Sequence, residues 1–435
     1  MSDILPAATT SGSRQERLRA VLRASPPLIW SFLYFFFLLT GYYVLRPVRD
    51  AMGAVGDLQW LFTATFVTMV VLQPFYGAIV ARFPRRVFLP IVYLFFIACL
   101  LGFHGLFGRE VPWVGDVFFV WLTVFNLFAV SVFWSFMADV FSDAEARRLY
   151  GYIAVGGTVG GFLGPWLTRH LVLDIGIANL MLVSAAMLAM CLLCIMRLRR
   201  WVSRGDSRQA AVDDEAIGGS ILAGLALIWR QPLLRALALL LFTGLGGATL
   251  VYNEQAAITR VLFPDSAART SFYSSIDLAV NTTTLIVQLL LTRALLTRFR
   301  LATVLLIPPC IALIGFSILL ASPLPLMVAA VQVSLRAGEF SLMKPARETI
   351  YTRVEREWRY KAKAAIDTVV YRGADLIYAW LHKVLALGGS SVVFGGGVVL
   401  SLAFIAGAWW AGRAQARFPD PASRGAAPAT PAAVG

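Results

Sequence analysis

The feature that most constrains this chain is a series of twelve apolar runs, each of about the 20 residues that a helix needs to cross a bilayer. The runs are too long and continuous for the alternating strands of a membrane barrel. Of the 435 residues, 59% are hydrophobic and 14% charged, whereas soluble domains carry about 25% charged residues. The sequence therefore predicts an all-α polytopic membrane protein and excludes a soluble enzyme. The runs occupy residues 28–46, 58–80, 87–107, 113–137, 150–170, 177–197, 233–253, 271–291, 301–320, 325–343, 365–387 and 391–412.

The distribution of positive charge predicts the orientation of the chain in the lipid bilayer. There are 38 Lys and Arg residues against 24 Asp and Glu residues, a net charge of +14. Cations concentrate in alternate loops, and such loops face the cytoplasm. We therefore expect both termini in the cytoplasm and interpret the basic excess as loop charge, with no nucleic acid as partner. The cation-rich loops carry Arg82, Arg85, Arg86, Arg147, Arg148, Arg197, Arg199, Arg200, Arg204, Arg208, Arg293, Arg298, Arg300, Lys344, Arg347, Arg353, Arg356, Arg359, Lys361 and Lys363.

A polar stretch near the middle of the sequence divides the chain. It contains Asp213, Asp214 and Glu215, and the apolar segment Ile221–Trp229 that follows is typical of a short interfacial helix. No small-residue cleavage site follows the first apolar run, so we expect a retained span and not a signal peptide. The expected regions are a cytoplasmic arm at 1–27, a six-helix half at 28–198, a cytoplasmic linker at 199–231, a second six-helix half at 232–412 and a disordered tail at 413–435.

Short sequence matches recur at corresponding places in the two halves. They pair Ala81–Arg85 with Thr297–Arg300, Ser135–Met137 with Ser341–Met343, and Arg148–Tyr150 with Arg359–Lys361. Matches in three corresponding positions predict a six-plus-six parallel duplication, which is the architecture of the major facilitator fold. The segment that begins at Gly77 and contains Arg82, Arg85 and Arg86 resembles the cytoplasmic loop motif of that superfamily, although Ala81 stands where an acid is usual.

The end of the first run carries charges at membrane depth, where charged side chains are rare and mark functional sites. Arg46, Arg49 and Asp50 share one helix face, and we expect Pro47 to break the backbone bonding of the preceding turn, as in the broken helices that line cavities. One interpretation is an anion-binding cluster, because arginine matches phosphate or carboxylate bidentately. The other interpretation is that the two arginine side chains extend to the polar boundary of the membrane.

The remaining candidate substrate-binding residues lie in later runs. Arg336 and Glu339 are one turn apart, as are Arg372 and Asp375, so each of these pairs can form locally. We expect Arg336 and Arg372 to face a central cavity, with Glu339, Asp367 and Asp375 as their partners when no substrate is bound. The alternatives are structural ion pairs for the charges and an interhelical hydrogen bond for the amide in the fourth run. The further candidates are Asn126, Asp277, Asn281, Lys344 and Asp367.

The segment of residues 344–363 holds three of the four lysines of the chain and four arginines. Such a basic rim at the inner mouth would concentrate a polyanion. The alternative is ordinary cytoplasmic charge attracted to anionic lipid.

The sequence offers no catalytic or metal-binding set. Its three histidines are scattered at span ends, and Cys191 and Cys194 lie in an apolar run without an acid or base beside them. The glycine-rich segment 156–161 lacks the lysine of a phosphate-binding loop, and we interpret it as close helix packing. We therefore predict no cofactor, no metal and no enzymatic activity.

Three segments resemble the bacterial and plastid-type ATP/ADP translocases, which are nucleotide transporters unrelated to the mitochondrial carrier. Residues 45–50 are similar to the Leu-Arg-x-x-Lys-Asp of that family. Phe133–Phe136 and Asp143–Tyr150 are similar to its Phe-Trp-Gly-Phe and Asp-Glu-Ala-Lys-Arg-Phe-Tyr. Ser341–Glu348 and Lys361–Asp367 are similar to its Ser-hydrophobic-x-x-Pro-x-Lys-Glu and Lys-Gly-Lys-Ala-Ala-Ile-Asp.

The resemblance implies a membrane exchanger of nucleotides or of a related phosphorylated solute. It places Arg49 where the family has a cationic substrate residue in the first span. It also places Asp375 where the family has a lysine, eight residues after the acid Asp367. Because an acid repels phosphate, we expect Asp375 to hold Arg372 in place and not to contact the substrate.

Two functions are consistent with the sequence. The first is alternating-access exchange of ATP/ADP-like nucleotides, or of another small phosphorylated anion, across a bacterial inner membrane. The alternative is a major facilitator transporter that couples a different organic solute to protons through Glu339, Asp277 or Asp375. A membrane-integral enzyme would need a catalytic cluster that the sequence lacks. The oligomeric state and the substrate itself are not specified by these residues.

Overall fold

The computed structural model describes residues 26–82, 85–109, 111, 113–141, 143–202, 221–351 and 365–416. Every regular element in these ranges is a helix. The predicted arm up to residue 25, the linker residues 203–220, most of the basic rim at 352–364 and the tail from residue 417 lie outside the described residues, as do the side chains of the loop motif at 77–86. The boundaries predicted for these regions stay predictions.

The first half of the chain contains six helices. The first four begin and end as α1 Pro26–Val55, α2 Leu58–Arg82, α3 Arg85–Phe107 and α4 Val114–Val140. Helix Asp143–Val202 reverses at Gly176, whose φ of 76° and ψ of 168° lie outside the helical region. We call its two parts α5 (143–175) and α6 (177–202). Only glycine adopts this conformation readily, so the boundary between the fifth and sixth runs depends on this residue.

The second half contains a short helix and six long ones. They are α7 Ile221–Arg230, α8 Pro232–Leu262, α9 Ser266–Arg298, α10 Leu301–Ala321, α11 Pro325–Tyr351, α12 Ile366–Ala386 and α13 Ser390–Ala416. Three of these helices contain wider, π-helical turns, at Gln288–Thr292 in α9, Glu339–Met343 in α11 and Ile366–Val370 in α12.

The helices account for the twelve apolar runs. Nine described helices are long and apolar enough to cross a membrane, and one of them supplies two passes because it reverses at Gly176. Two further helices complete the set. They are α2, which is apolar over its described side chains Leu58–Leu72, and α12. The predicted class, an all-α polytopic membrane protein, is confirmed.

The first helix differs from its prediction. The apolar run ends at residue 46, yet α1 continues through Pro47 to Val55. A proline removes one backbone hydrogen bond but fits a helix when neighbouring helices enclose it. As a consequence, the charges that follow Leu45 are on a helix inside the bundle and not in a loop.

Helix α5 packs against the backbone of α1 through small residues. A Cβ atom at Gly156 would lie 2.5 Å from the carbonyl oxygen of Phe32, and one at Gly160 would lie 2.5 Å from that of Phe36. The Thr168 hydroxyl donates across the interface to the carbonyl oxygen of Val44 at 2.8 Å. The prediction that these glycines serve close packing is confirmed.

The π-helical turns of α9 and α11 lie against each other. The Thr292 hydroxyl donates to the carbonyl oxygen of Ser341 at 2.8 Å, and the Gln288 amide donates to that of Phe340 at 3.2 Å. A π-helical turn changes the backbone bonding of its neighbours. Side chains of α9 therefore satisfy carbonyl groups in the irregular part of α11.

Candidate functional site

A cavity of about 390 Å³ lies between the two halves. This volume is in the range of small-molecule sites, which is about 300–1,000 Å³. Helices α1, α2 and α4 line it from the first half, and α8 and α10–α13 line it from the second. The ionisable groups in its wall are Arg46, Arg49, Arg336, Glu339, Arg372 and Asp375, together with Tyr42, Tyr43, Tyr252 and Tyr371. The structure thus brings together the four arginines that the sequence singles out.

Arg46, Asp277 and Arg336 form a cluster that we call the ion triad. The Asp277 carboxylate is 2.7 Å from Arg336 and 3.7 Å from Arg46. Its side chain is 1% exposed, and those of Arg46 and Arg336 are 15% and 12% exposed. The triad spans the two halves, because Arg46 is on α1 while Asp277 and Arg336 are on α9 and α11.

The ion triad is incompletely hydrogen-bonded. The Nε atom of Arg46 and one terminal nitrogen of Arg336 are buried without a hydrogen-bond partner. Both Asp277 oxygens also lack a hydrogen bond, so charge alone holds them to the arginines. Two cations share one carboxylate, which leaves one positive charge to be compensated. Buried cations without full compensation are costly, and such an arrangement favours an additional anion.

The partner of Arg336 differs from the prediction. We expected a pair with Glu339 on the same helix, but Arg336 contacts Asp277, and Glu339 contacts Arg347 at 3.2 Å. A local pair contributes only about 0.2–0.5 kcal/mol in an isolated helix. A buried carboxylate such as Asp277 requires a cation far more strongly, and Glu339 begins the π-helical turn that alters the spacing after Arg336.

A second group of charges surrounds Asp50. Arg49 donates to Asp50 Oδ1 through Nη2 at 2.6 Å and through Nε at 3.0 Å. From the other half, the Tyr252 hydroxyl donates to the same oxygen at 3.1 Å. The Arg49 guanidinium also lies over the Phe119 ring, 5.2 Å from its centre. Asp50 is 2% exposed, and its contacts hold Arg49 at the cavity wall.

The third charged pair forms as predicted. Arg372 Nη1 is 3.3 Å from Asp375 Oδ2, and the Thr249 hydroxyl donates to the other Asp375 oxygen at 3.3 Å. The Arg372 guanidinium lies 5.2 Å from the centre of the Tyr371 ring. This pair is internally neutral and reaches the cavity from the second half.

The other candidate residues have different surroundings. Asn126 lines the cavity, but Asn281 donates to the carbonyl oxygen of Gly161 at 2.5 Å and ties α9 to α5. The cavity wall does not include Asn281, and it does not include Lys344, which is exposed. The side chain of Asp367 lies outside the described residues. The geometry supports Asn126 as a candidate contact and gives Asn281 a structural role.

Sequence reasoning missed several polar residues of the wall. Gln332, Thr65, Thr123 and Thr249 line the cavity, and Gln332 Oε1 is buried without a hydrogen-bond partner. Hydroxyl and amide side chains are common in membrane helices, where they usually bond to their own backbone. Their spacing therefore gave no signal that distinguished them from packing residues.

At one end of the bundle, α12 contacts α2 and the turn before it, and we call these contacts the seal. The Trp380 indole N–H donates to the Thr63 hydroxyl at 3.1 Å, and the Trp380 and Trp60 rings meet edge to face at 5.2 Å. Lys383 Nζ is 3.5 Å from Asp57 Oδ2. The seal lies at the end of the molecule where α1 ends and α2 begins.

Comparison with known proteins gives a consistent result. A family model described as Major Facilitator Superfamily matches residues 28–374. No protein with a curated functional description matches the sequence significantly.

Solved transporter structures share the fold. A bacterial homologue of the iron transporter ferroportin in an inward-facing state is 11% identical with a TM-score of 0.62, over 89% of this chain and 99% of that one. A bacterial homologue of the human lysosomal transporter Spinster, inward-facing and unoccupied, is 14% identical with a TM-score of 0.55, over 94% and 98%. The nucleoside transporter NupG is 15% identical with a TM-score of 0.55, over 88% and 98%.

Proposed function

The chain belongs to the major facilitator superfamily and is a multi-pass membrane transporter, and we propose that it exchanges nucleotides of the ATP/ADP kind, or another phosphorylated anion, by alternating access. The arginines of the cavity support an anionic solute. The motifs similar to those of the ATP/ADP translocases support a nucleotide. The solute is carried without chemical change, so the proposal requires no catalytic residue.

The observation that carries this proposal is the ion triad. Arg46 and Arg336 share the single carboxylate of Asp277 and keep buried N–H groups without an acceptor. Phosphate oxygens are strong acceptors, and guanidinium groups bind them through paired hydrogen bonds. A phosphate at this place would compensate the extra positive charge and satisfy the unpaired donors together.

The triad also suggests how binding is linked to movement. Asp277 is held by charge and accepts no hydrogen bond, so an entering phosphate competes with it directly for both arginines. Because Arg46 belongs to the first half and Arg336 to the second, a bound anion connects the halves. The tyrosines in the cavity wall offer ring faces on which a base can stack.

The orientation and location of the transporter are part of the proposal. The alternation of basic loops supports cytoplasmic termini, and the high ratio of arginine to lysine and the resemblance to bacterial translocases support a bacterial inner membrane. In that orientation the seal closes the side of the cavity that faces away from the cytoplasm.

A ligand screen on the purified full-length protein tests the proposal. Thermal unfolding is measured with ATP, ADP, a sugar phosphate, inorganic phosphate and, as the uncharged control, adenosine. A ligand that binds only the folded protein stabilises it by about 2.7 kcal/mol at a hundred times its Kd. We expect phosphorylated ligands to raise the Tm and adenosine to have little effect. Arg46→Gln and Arg336→Gln should abolish the increase, and the exposed Arg230→Gln should keep it.

Two outcomes contradict the anion site. One is stabilisation by adenosine equal to that by ADP, and the other is an unchanged ligand response in Arg46→Gln and Arg336→Gln. The second candidate function is proton-coupled transport of a different organic solute, which the neutral Arg372–Asp375 pair in the cavity wall supports. Vesicles separate the two: exchange requires the solute inside, whereas proton-coupled transport proceeds into empty vesicles under an acidic exterior.

A further inference from the structure

Three side chains form a polar cluster outside the cavity, at the same end as the seal, and two of them are buried. The His382 Nε2–H group donates to Glu254 Oε2 at 3.0 Å, and the Ser390 hydroxyl donates to Glu254 Oε1. Glu254 and His382 are each 6% exposed. The cluster joins α8, α12 and the start of α13. Neither Glu254 nor His382 lines the cavity, so the proposed anion site does not use them.

The hydrogen bonds define the protonation states that this cluster can adopt. A carboxylate accepts, so His382 Nε2 must carry a proton, and the other ring nitrogen, Nδ1, is buried without a hydrogen-bond partner. With neutral His382 the cluster holds the uncompensated charge of Glu254. With a second proton on the ring it becomes a neutral ion pair with a charge-assisted bond, which is about twice as strong as a neutral one.

An ordinary histidine is the side chain whose charge changes in the physiological range. The ionisable groups on the surrounding elements include Asp57 on the α1–α2 turn, Arg46, Arg49 and Asp50 on α1, Tyr252 and Arg260 on α8, Arg336 on α11, and Arg372, Asp375, Tyr378 and Lys383 on α12. The described residues of α13 carry only Arg413, at its far end. Arg372 and Asp375 pair with each other. Asp57 pairs with Lys383, and Asp50 pairs with Arg49. Between about pH 5 and 8, an ordinary side chain of these types keeps its charge, whereas an ordinary histidine does not.

We propose that the Glu254–His382 pair is a proton-binding site and that the bound proton stabilises the seal. His382 lies between Trp380, which contacts α2, and Lys383, which contacts Asp57 on the turn before α2. A stronger bond from His382 to α8 holds this turn of α12 in the position where the contacts form. With both groups buried, the proton exchanges with solvent when this end of the molecule opens, and it is retained when the seal closes.

The sign of the pH dependence follows from the proposal. Under this proposal the sealed state binds the proton more tightly, so the seal is most stable at low pH and is weakened as pH rises. Because one proton is involved, the ratio of open to sealed molecules changes by up to about tenfold per pH unit.

Distance measurements between spin labels test the proposal without any transported solute, so its failure is separate from failure of the anion site. Val55→Cys and Leu387→Cys place labels on the two halves at the seal end, where the side chains are 47% and 87% exposed. The four native cysteines are replaced, and double electron–electron resonance is recorded between about pH 5 and 8. We expect the longer distance to gain population as pH rises.

Variants assign the effect to the pair. His382→Gln keeps a donor for Glu254 but does not titrate, and Glu254→Gln removes the charge. Both should give a distance distribution that does not change with pH. His170→Gln, which removes a histidine on an exposed part of α5, should keep the full response. The proposal is wrong if the labelled protein with native Glu254 and His382 shows no pH-dependent distance change, or if His382→Gln keeps that change. Both results can be obtained even if Glu254→Gln does not fold.

Discussion

Two sets of helix contacts, one in each half of this transporter, differ in the atoms that a glycine meets. In the first half, Gly156, Gly160 and Gly164 of α5 meet backbone atoms of α1. In the second half, a Cβ atom at Gly246 would meet the Tyr378 ring, and one at Gly397 would meet the Phe316 ring. Backbone atoms cannot move aside locally, whereas side chains can change rotamer. We therefore expect α1 and α5 to move as one block, and the contacts of Gly246 and Gly397 to permit more change of shape.

The two halves also differ in helical geometry. The second half has three π-helical turns, and the described residues of α1–α6 have none. Such turns are frequent at functional sites, and two of these three adjoin residues of the cavity wall, Glu339 in α11 and Tyr371 in α12. If the proposed site binds the solute, we expect substrate-linked changes to arise in the second half and to reach the first through the ion triad.

The largest expected effect comes from Asp277→Asn, which removes the carboxylate that joins the halves. Two buried arginines lose their partner, so the ligand-free protein should lose about 3–5 kcal/mol of unfolding free energy. A phosphorylated ligand that binds at the arginines should then raise the Tm by more than it does in the unmodified protein. Thermal unfolding with and without ligand measures both effects. Unchanged stability would show that Asp277 does not connect the halves.

The next largest loss of stability is expected from a glycine substitution, compared between one glycine of each half. Gly160→Ala places a methyl group against the backbone of α1 and should cost about 1–3 kcal/mol or more. Gly246→Ala meets the ring of Tyr378 and should cost less, because the ring can turn. Gly102→Ala, where nothing lies within 4 Å, is the control. Equal losses in Gly160→Ala and Gly246→Ala, measured by thermal unfolding, would contradict the difference between the halves.

A third comparison removes one hydroxyl from each half. Thr168→Val and Thr292→Val each delete an interhelical hydrogen bond of 2.8 Å, so each should cost about 0.5–1.5 kcal/mol. Only Thr292→Val should increase amide hydrogen exchange around the π-helical turns of α9 and α11. Hydrogen exchange with mass spectrometry measures this. If Thr168→Val increases exchange in α1 and α5 to the same extent, the first half is no more rigid than the second.

The smallest effect is expected from Lys383→Met at the seal. Its ion pair with Asp57 is about half-exposed, and exposed pairs contribute about 0–1 kcal/mol. We expect a small loss of stability in thermal unfolding that disappears at high salt, because salt screens exposed charges. A loss as large as that of Asp277→Asn would mean that charge, and not the Trp380 contacts, holds the two halves together at this end.

Much of the fold and part of the site could be predicted from the sequence. Apolar runs identify membrane helices because lipid leaves the backbone no other partner. Arg46 and Arg372 could be placed at the cavity because charge in an apolar run is tolerated only where it meets a partner or water. The Arg372–Asp375 pair could be predicted as well, since both residues are on one regular turn.

The remaining features depend on contacts between helices, which local patterns do not encode. Arg336 takes its partner from α9, and the π-helical turn at Glu339 changes the spacing on which the predicted pair relied. Asn281 faces α5 instead of the cavity. The Glu254–His382 pair joins residues 128 positions apart. Only the folded bundle brings such residues together.

The reversal at Gly176 has a consequence for how the protein is made. Helical residues stand on both sides of this single position, so α5 and α6 form a hairpin without an intervening loop. During biosynthesis, almost no non-helical backbone has to be carried through the hydrocarbon when this pair enters the membrane. Residues inserted at this point would add peptide groups that have to cross the lipid unpaired, and the cost of their transfer would be paid before the rest of the bundle exists.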